Sequence, residues 1–119
     1  MAPQVLVVGT LFVLMGLSAL ARPEFIVGFF GATVETPDFR NEIRAVYGGF
    51  GVLLGSLLLM TGTLFAAHSA GIFIACAAAL FGMAAGRLLS FTMERTGAWP
   101  VFYCAVELIG GSLLVSAVP

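Results

Sequence analysis

The hydrophobic pattern divides the chain into four long apolar runs joined by short polar links. The runs cover residues 4–21, 45–67, 70–91 and 99–118. As helices they are about 27 to 35 Å long at about 1.5 Å per residue, which is enough to cross a hydrocarbon core of about 30 Å. The pattern therefore predicts an all-α fold, an integral membrane four-helix bundle that forms a single transmembrane domain over residues 1–119.

A short apolar segment separates the first run from the second. Pro23 ends the first helix, since proline lacks an N–H and clashes with the preceding turn. Residues 24–35 contain phenylalanines at helical spacing but are too few to span a bilayer, so a short interfacial or re-entrant helix is expected, with a plain loop nearly as well supported. Thr36 and Pro37 then match a helix N-cap followed by proline at the first helical position. The second helix is therefore expected to begin near Pro37.

The remaining links are short. His68 and Ser69 are the whole predicted connection between the second and third helices, and a link of this length requires an antiparallel hairpin. A polar segment, residues 92–98, connects the third helix to the fourth. Trp99 and Pro100 match the start of that fourth helix, where proline is tolerated and tryptophan marks a membrane interface.

The arginines predict the orientation. Each arginine lies in or beside one of two links, either the one between the first and second helices or the one between the third and fourth. The ends of the chain have no arginine. Because arginine favours the cytoplasmic side, both links are predicted to be cytoplasmic and both termini outside, an N-out/C-out topology. The first run lacks the basic segment of a signal peptide, so an uncleaved helix is expected. The five arginines are Arg22, Arg40, Arg44, Arg87 and Arg95.

Small residues mark the faces on which the helices are expected to pack. Glycine recurs in the second helix at alternating steps of three and four residues, which places it on one face. In lipid, such glycines let another backbone approach closely. The same face carries Asn41 and Arg44 at its end, so both are predicted to point into the bundle. The predicted packing glycines are Gly48, Gly51, Gly55 and Gly62 in the second helix and Gly82 and Gly86 in the third.

Composition supports a membrane protein and excludes other classes. Apolar residues make up 61% of the chain and charged residues 9%, with a mean hydropathy of +1.11, whereas a soluble domain has about 25% charged residues. The expected partner of this surface is the lipid bilayer. The chain has no lysine and a net charge of −1, so no basic patch for nucleic acid is expected.

Neither cysteine is expected to be functional. Cys76 is predicted about 9 Å in from the outer face on the third helix, and Cys104 about 9 Å in from the inner face on the fourth. This difference in depth exceeds the limit of about 7 Å between the Cα atoms of a disulfide. Their spacing matches no metal motif, so we expect two small core residues, no metal site and no cofactor. His68 is expected to be solvated at the outer interface.

Glu107 is the most informative residue, because it lies about 13 Å inside the membrane on the fourth helix. An ionised carboxylate there costs several kcal/mol unless it is paired. Arg87 on the antiparallel third helix is the predicted partner, since the two side chains lean toward each other along their helices. Tyr103 lies one turn before Glu107 and is expected to satisfy the acid by a hydrogen bond rather than to shuttle a proton.

Arg44 is then left without a partner. In one interpretation its side chain reaches the headgroups or pairs with an acid in a loop, and the polar cluster is a structural staple. In the other, its surplus charge helps to hold a lipid phosphate, a carboxylate or a quinone-like oxygen. The staple is the favoured interpretation. The candidate ligand-binding residues of the alternative are Asn41, Arg44, Arg87, Ser90, Tyr103 and Glu107, and no catalytic residue is predicted.

Three stretches of the chain resemble a known family. Asn41–Gly51 reads NEIRAVYGGFG, Gly86–Ser90 reads GRLLS, and Glu107 follows in the fourth helix. Through the signatures N-x-x-R-A-x-x-G-G and G-R-L-x-S, the chain resembles a family of small four-helix bacterial inner-membrane proteins classed as a domain of unknown function, and more distantly the DoxX-like membrane proteins. The resemblance covers nearly the whole chain. It implies the four-helix fold and a multi-pass location in the bacterial inner (plasma) membrane, but no activity.

The sequence favours a non-enzymatic role. The leading hypothesis is an accessory or oligomerising module that contacts a second copy or a larger membrane complex through its glycine faces. The alternative is a binder or carrier of an anionic or amphipathic small molecule or lipid at an inner-leaflet pocket of arginine and glutamate. An enzyme is the least supported class, because the pattern contains no nucleophile beside a base, no metal-ligand spacing and no phosphate-binding loop.

Overall fold

The chain is built from helices. The computed structural model describes residues 1–119. A π-helix at Arg44–Gly49 joins the third α-helix to the fourth, and 3-10 turns occupy Met60–Gly62 and Ala66–His68. The α-helices are α1 (Pro3–Ala21), α2 (Pro23–Gly28), α3 (Pro37–Ile43), α4 (Phe50–Leu59), α5 (Ser69–Met93) and α6 (Ala98–Ser116).

Four continuous helical stretches are long and apolar enough to cross a membrane, so the predicted all-α class and number of long helices are confirmed. The predicted short helix between the first two is α2. The second long helix begins with the expected cap, in which Oγ1 of Thr36 accepts a hydrogen bond of 3.1 Å from the amide of Phe39. The four long helices are Pro3–Ala21, Pro37–Gly62, Ala66–Met93 and Ala98–Ser116.

The second long helix ends sooner than its apolar pattern suggests. The sequence assigns residues 45–67 to one run, whereas the helix ends at Gly62. Thr63 leaves helical geometry at φ −136° and ψ −96°, and the Thr61 hydroxyl donates to the carbonyl of Leu58 at 2.6 Å. With 26 residues, about 39 Å at about 1.5 Å each, the helix already exceeds the hydrocarbon core. The link to the third helix is therefore longer than the two residues predicted.

The long helices form two tight pairs, α1 with α4 and α5 with α6. The first pair meets at glycines. A Cβ added at Gly55 would lie 2.6 Å from the carbonyl oxygen of Gly9, and one added at Gly16 would lie 2.5 Å from the amide nitrogen of Val52. Only glycine fits at such distances, which is how backbones approach closely in lipid. The α1 helix covers Gly48, Gly51 and Gly55, all of which are buried.

The other predicted packing glycines have no helix of the chain against them. Gly62 is exposed, and the atoms nearest to a Cβ added there belong to the side chain of Met1. Gly82 and Gly86 are also exposed, and no atom lies within 4 Å of a Cβ added at either position. The reason is that α5 meets α6 through a different face, so Gly82 and Gly86 point away from the bundle, whereas Ala77 and Ala84 of the same helix are buried.

The π-helix at Arg44–Gly49 shifts the register of the second long helix. In a π-helix the repeat is five residues rather than four, so Ile43 instead of Arg44 shares a face with Gly48. Ile43 is 1% exposed, whereas Asn41 and Arg44 are both exposed. The prediction that Asn41 and Arg44 point into the bundle assumed an uninterrupted α-helix and is wrong for Asn41, whereas Arg44, although exposed, still bonds through Nε to the carbonyl of Leu20 in α1.

All four long helices contribute to the main core. A second cluster, Ala19, Ile26, Val27 and Ile43, lies at the opposite end of the bundle, where α2 and α3 pack. We name the end of the bundle that holds this second cluster the arginine end, because Arg22, Arg40, Arg44 and Arg95 lie there. The bundle is flattened, with extents of 43 × 33 × 18 Å. The main core consists of Val5, Val8, Phe12, Leu58, Phe73, Cys76, Ala77, Leu80 and Leu114.

Candidate functional site

Arg87 of α5 and Glu107 of α6 form an ion pair. Nε of Arg87 donates to both carboxylate oxygens of Glu107 at 2.9 Å. The Glu107 side chain is 7% exposed and that of Arg87 is 27% exposed, so the carboxylate is enclosed while the guanidinium lies partly open. This is the pair that the sequence predicts from two antiparallel helices whose side chains lean toward each other.

Close packing of α5 on α6 holds this pair together. One turn after Glu107, a Cβ added at Gly111 would lie 2.7 Å from the ring of Phe81. Just before Glu107, Sγ of Cys104 donates to the carbonyl of Ala84 at 3.8 Å. These contacts lie on either side of the ion pair along α6, so they fix the distance between the helices where the pair forms.

Two aromatic rings cover one side of the Arg87 guanidinium, and we name them the aromatic wall. Cζ of Arg87 lies 5.7 Å from the ring centroid of Phe30 and 5.6 Å from that of Tyr103, within the range of about 6 Å for cation–π attraction. The two centroids are 5.4 Å apart. The Tyr103 hydroxyl forms no hydrogen bond with Glu107, contrary to the expectation from the sequence, because its ring packs beside the guanidinium.

Phe30 is the site residue that sequence reasoning missed. The phenylalanine pattern after Pro23 was visible, but it does not indicate that this segment folds across the start of α6. Gly31 follows at φ +75°, a left-handed conformation that favours glycine. The ring of Phe29 packs on that of Trp99 with centroids 4.7 Å apart, which holds the segment beside α6.

Most of the hydrogen-bond donors of Arg87 are unused within the chain. A guanidinium carries N–H donors on Nε and on both Nη atoms, and only Nε donates to a protein acceptor. No fully buried side-chain nitrogen or oxygen lacks a partner, so the Nη atoms are reachable from outside the chain. The site is therefore an ion pair with open donors beside an aromatic wall.

Arg44 is not part of the Arg87–Glu107 site. Its Nε donates to the carbonyl of Leu20 at 3.1 Å, near the end of α1, where unpaired carbonyls and the negative end of the helix dipole favour a cation. It forms no salt bridge with a loop acid, since the Arg87–Glu107 pair is the only salt bridge in the chain. Asn41 is exposed and Ser90 is half-buried, and neither side chain bonds to that pair. Of the six candidate residues, the structure brings together Arg87, Tyr103 and Glu107.

Residues that commonly bind metals are dispersed. No group of three or more His, Cys, Asp or Glu side chains lies close enough to hold a metal ion. Cys76 and Cys104 are free and buried on different helices, in keeping with the core role predicted for both. His68 is exposed at the end of a 3-10 turn.

The fold and the site define an all-α protein with four helices suited to cross a membrane and one partly open arginine–glutamate pair. The chain belongs to the family of a domain of unknown function, DUF4345, whose family model matches residues 4–118. This confirms the predicted membership of a family of unknown function. No curated protein and no solved structure matches the chain.

Proposed function

We propose that the chain is a multi-pass protein of the bacterial inner membrane with both termini outside. Four helices of sufficient length and apolarity support this proposal, as do large apolar side chains exposed on each of them. In water such surface costs about 25 cal/mol per Å², whereas lipid solvates it. A distant relationship to DoxX-like proteins is part of the same proposal. Exposed side chains, one from each long helix, include Leu6, Leu53, Ile74 and Ile109.

Reporter fusions test this orientation. The positive-inside rule assigns the arginine end to the cytoplasm. We expect a reporter that is active only outside the cytoplasm to be active when fused after Pro119, and inactive when fused to a chain truncated after Gly97. A reporter with the opposite pattern of activity at these two positions would overturn the orientation.

Within the membrane, the proposed role is that of a non-enzymatic oligomerising module. The observation that carries this role is an exposed face of α5, which we name the open face. No atom of the chain lies within 4 Å of a Cβ added at any of its three glycines. Helices in lipid associate through small residues at four-residue spacing, and the glycines of α4 are already covered by α1. The open face consists of Gly71, Ala75, Ala78, Gly82 and Gly86, all exposed.

A second copy of this chain is the proposed partner. Copies of one protein insert in one orientation, so two α5 helices would cross in parallel, as in dimers of the GxxxG type. Two identical faces then form a contact of two-fold symmetry. The open face has no polar side chain, so its contact requires no complementary charge from a different protein.

Cysteine cross-linking in native membranes tests this contact. Gly82→Cys is expected to form disulfide-linked dimers on oxidation, whereas Ala105→Cys, at an exposed position on α6, is the matched control and is expected to remain monomeric. The native cysteines are buried and should not react. Equal cross-linking of the two variants, or none at Gly82, would contradict the homodimer. Absence of dimer together with a stoichiometric foreign partner would instead favour an accessory subunit of a larger complex.

A second candidate function is the binding of an anionic or amphipathic small molecule or lipid at Arg87. The Nη atoms of Arg87, which have no acceptor in the chain, favour this binding function, because an unpaired donor facing hydrocarbon costs free energy. Binding is favoured over catalysis since both oxygens of Glu107 accept from Nε of Arg87. A carboxylate engaged in this way is poorly placed to act as a general base.

Native mass spectrometry from a mild detergent tests this second function. The wild-type protein is expected to retain an additional mass that Arg87→Ala loses. Arg44→Ala is the matched control and is expected to keep the ligand, because Arg44 binds the end of α1 instead. Spectra without a retained mass, or equal loss in both variants, would overturn binding at Arg87.

A further inference from the structure

We infer that the group bound by Arg87 is the neutral carbonyl oxygen of an amphiphile rather than an anionic group. This inference rests on the proposed binding function and narrows the class of its ligand. The Nη atoms of Arg87 donate to the carbonyl oxygen, and the aromatic wall of Phe30 and Tyr103 flanks it.

The charge of the site is the first reason. Glu107 receives two hydrogen bonds of 2.9 Å from Arg87, so the ion pair is already neutral. A second anion on the same guanidinium would leave one net negative charge beside an enclosed carboxylate. At short range and low effective dielectric constant, repulsion between the two anions is large. The pair therefore disfavours a phosphate or carboxylate ligand.

The aromatic wall is the second reason. The faces of aromatic rings carry partial negative charge, which attracts cations and repels anions. Arg87 lies over the rings of both Phe30 and Tyr103, with Cζ less than 6 Å from each centroid. An anion on the guanidinium would gain no attraction from these ring faces. A neutral carbonyl group carries no net charge and can pack against the same rings.

The unused donors are the third reason. The Nη groups need hydrogen-bond acceptors rather than a counter-ion, because Nε already binds the counter-ion. A carbonyl oxygen has two lone pairs and can accept from a guanidinium. It thereby satisfies donors for which the chain supplies no acceptor.

The depth of Arg87 in a bilayer agrees with this chemistry. It lies six residues before the end of α5 at Met93, about 9 Å along the axis. A helix of 25 residues extends about 4 Å beyond each side of the hydrocarbon core when centred, which places Cα of Arg87 about 5 Å inside. Its side chain leans further inward, toward the start of α5. Carbonyl groups of amphiphiles reach this depth more readily than phosphates, which stay in the polar headgroup layer.

Two sources share this chemistry, namely the ester carbonyls of bilayer lipids and a free amphiphile with a carbonyl group. Nanodiscs made from diacyl phosphatidylcholine, or from the matched dialkyl ether lipid without carbonyls, distinguish them. Solid-state NMR with ¹⁵N-labelled arginine reports contacts from Nη to lipid ¹³C carbonyl, to ³¹P or to water. The Arg87 signal is the one that disappears in Arg87→Lys, and Arg44→Lys is the matched control.

We expect a contact from Nη of Arg87 to the ester carbonyl in the diacyl lipid, and its loss with a changed ¹⁵N shift in the ether lipid. An unchanged shift in the ether lipid, with a neutral carbonyl compound extracted from the sample, assigns the site to a free amphiphile. A contact to phosphorus would overturn the neutral ligand while leaving binding at Arg87 intact. Contact with water alone in both lipids would overturn the inference and the binding function together.

Glu107→Gln provides a second variant of nearly the same shape. It removes the counter-ion, so Arg87 becomes an uncompensated cation and should then prefer an anion. We expect the wild-type protein to bind phosphatidylcholine and phosphatidylglycerol equally, and Glu107→Gln to favour phosphatidylglycerol about tenfold, equivalent to about 1.4 kcal/mol. A preference of the wild-type protein for phosphatidylglycerol would overturn the inference.

Discussion

At Arg87, the two parts of one guanidinium meet different surroundings. Nε donates to an enclosed carboxylate, whereas the Nη atoms of this partly exposed side chain have no acceptor in the chain, and Cζ lies beside the rings of Phe30 and Tyr103. The first contact neutralises an enclosed charge that would be costly to bury alone. The second leaves donors available to a molecule outside the chain. The same residue is therefore both a structural partner and the centre of the candidate site.

The first prediction at the residue scale concerns the ion pair. Glu107→Ala is expected to lower the free energy of unfolding by about 3 kcal/mol, because it leaves Arg87 without its partner. Arg87→Met combined with Glu107→Leu is expected to stay within about 1 kcal/mol of wild type, since both charges are removed together. Reversible unfolding in mixed micelles measures both values. Additive losses from the two sites would show that the pair is not coupled.

The second prediction at this scale compares two glycines. Gly55→Ala is expected to destabilise the fold by about 1–3 kcal/mol, because its Cβ would lie 2.6 Å from the backbone oxygen of Gly9. Gly82→Ala has open space around its Cβ and is expected to be neutral or to stabilise by up to about 1 kcal/mol through helix propensity. Melting temperatures of detergent-solubilised monomers report the difference. Similar melting temperatures for the two variants would contradict the packing of α1 on α4.

At the scale of elements, the sequence predicted the number and approximate limits of the long helices, because runs of apolar residues dominate them. The Arg87–Glu107 pair was predictable too, since a lone carboxylate inside a membrane needs a cation nearby. The exposed position of Arg44 was not predictable, because a π-helix has the same composition as an α-helix. Its change of register therefore cannot be recognised from the pattern of apolar residues. Phe30 was missed since its role depends on contacts between segments distant in sequence.

The π-helix leads to a prediction about accessibility. In the absence of the π-helix, Arg44 would share the buried face of Gly48, whereas here Ile43 does. Cysteines introduced at Asn41 and Arg44 are therefore expected to react readily with a water-soluble maleimide, and one introduced at Ile43 to be protected. Fast labelling at Ile43 and protection at Arg44 would instead indicate a continuous α-helix. Mass spectrometry of the labelled protein in nanodiscs gives the three rates.

At the scale of the whole molecule, the chain consists of two tight helix pairs that share one core. The link between the pairs contains the non-helical residues 63–65, and Leu64 within it is 70% exposed. Residues of α1, α4, α5 and α6 all contribute to the main core. Association of the pairs therefore depends on packing rather than on the continuity of the chain.

This arrangement predicts that the chain can be cleaved in the link between the two helix pairs without separating the pairs. A protease site inserted after Leu64 is expected to be cleaved in micelles, with the two fragments still co-purifying and retaining their helical circular dichroism. The same site inserted after Gly49, within the second long helix, is the control and is expected to disrupt the protein. Separation of the fragments after cleavage at Leu64 would mean that the shared core does not hold the pairs together.

The pairing of α1 with α4 also has a consequence for biogenesis. Both helices of this pair are synthesised before α5, so their glycine contact requires no residue that is made after Leu59. Arg87 is likewise synthesised before Glu107, which lies 20 residues further along the chain. During synthesis the chain therefore never contains that acid without its counter-ion.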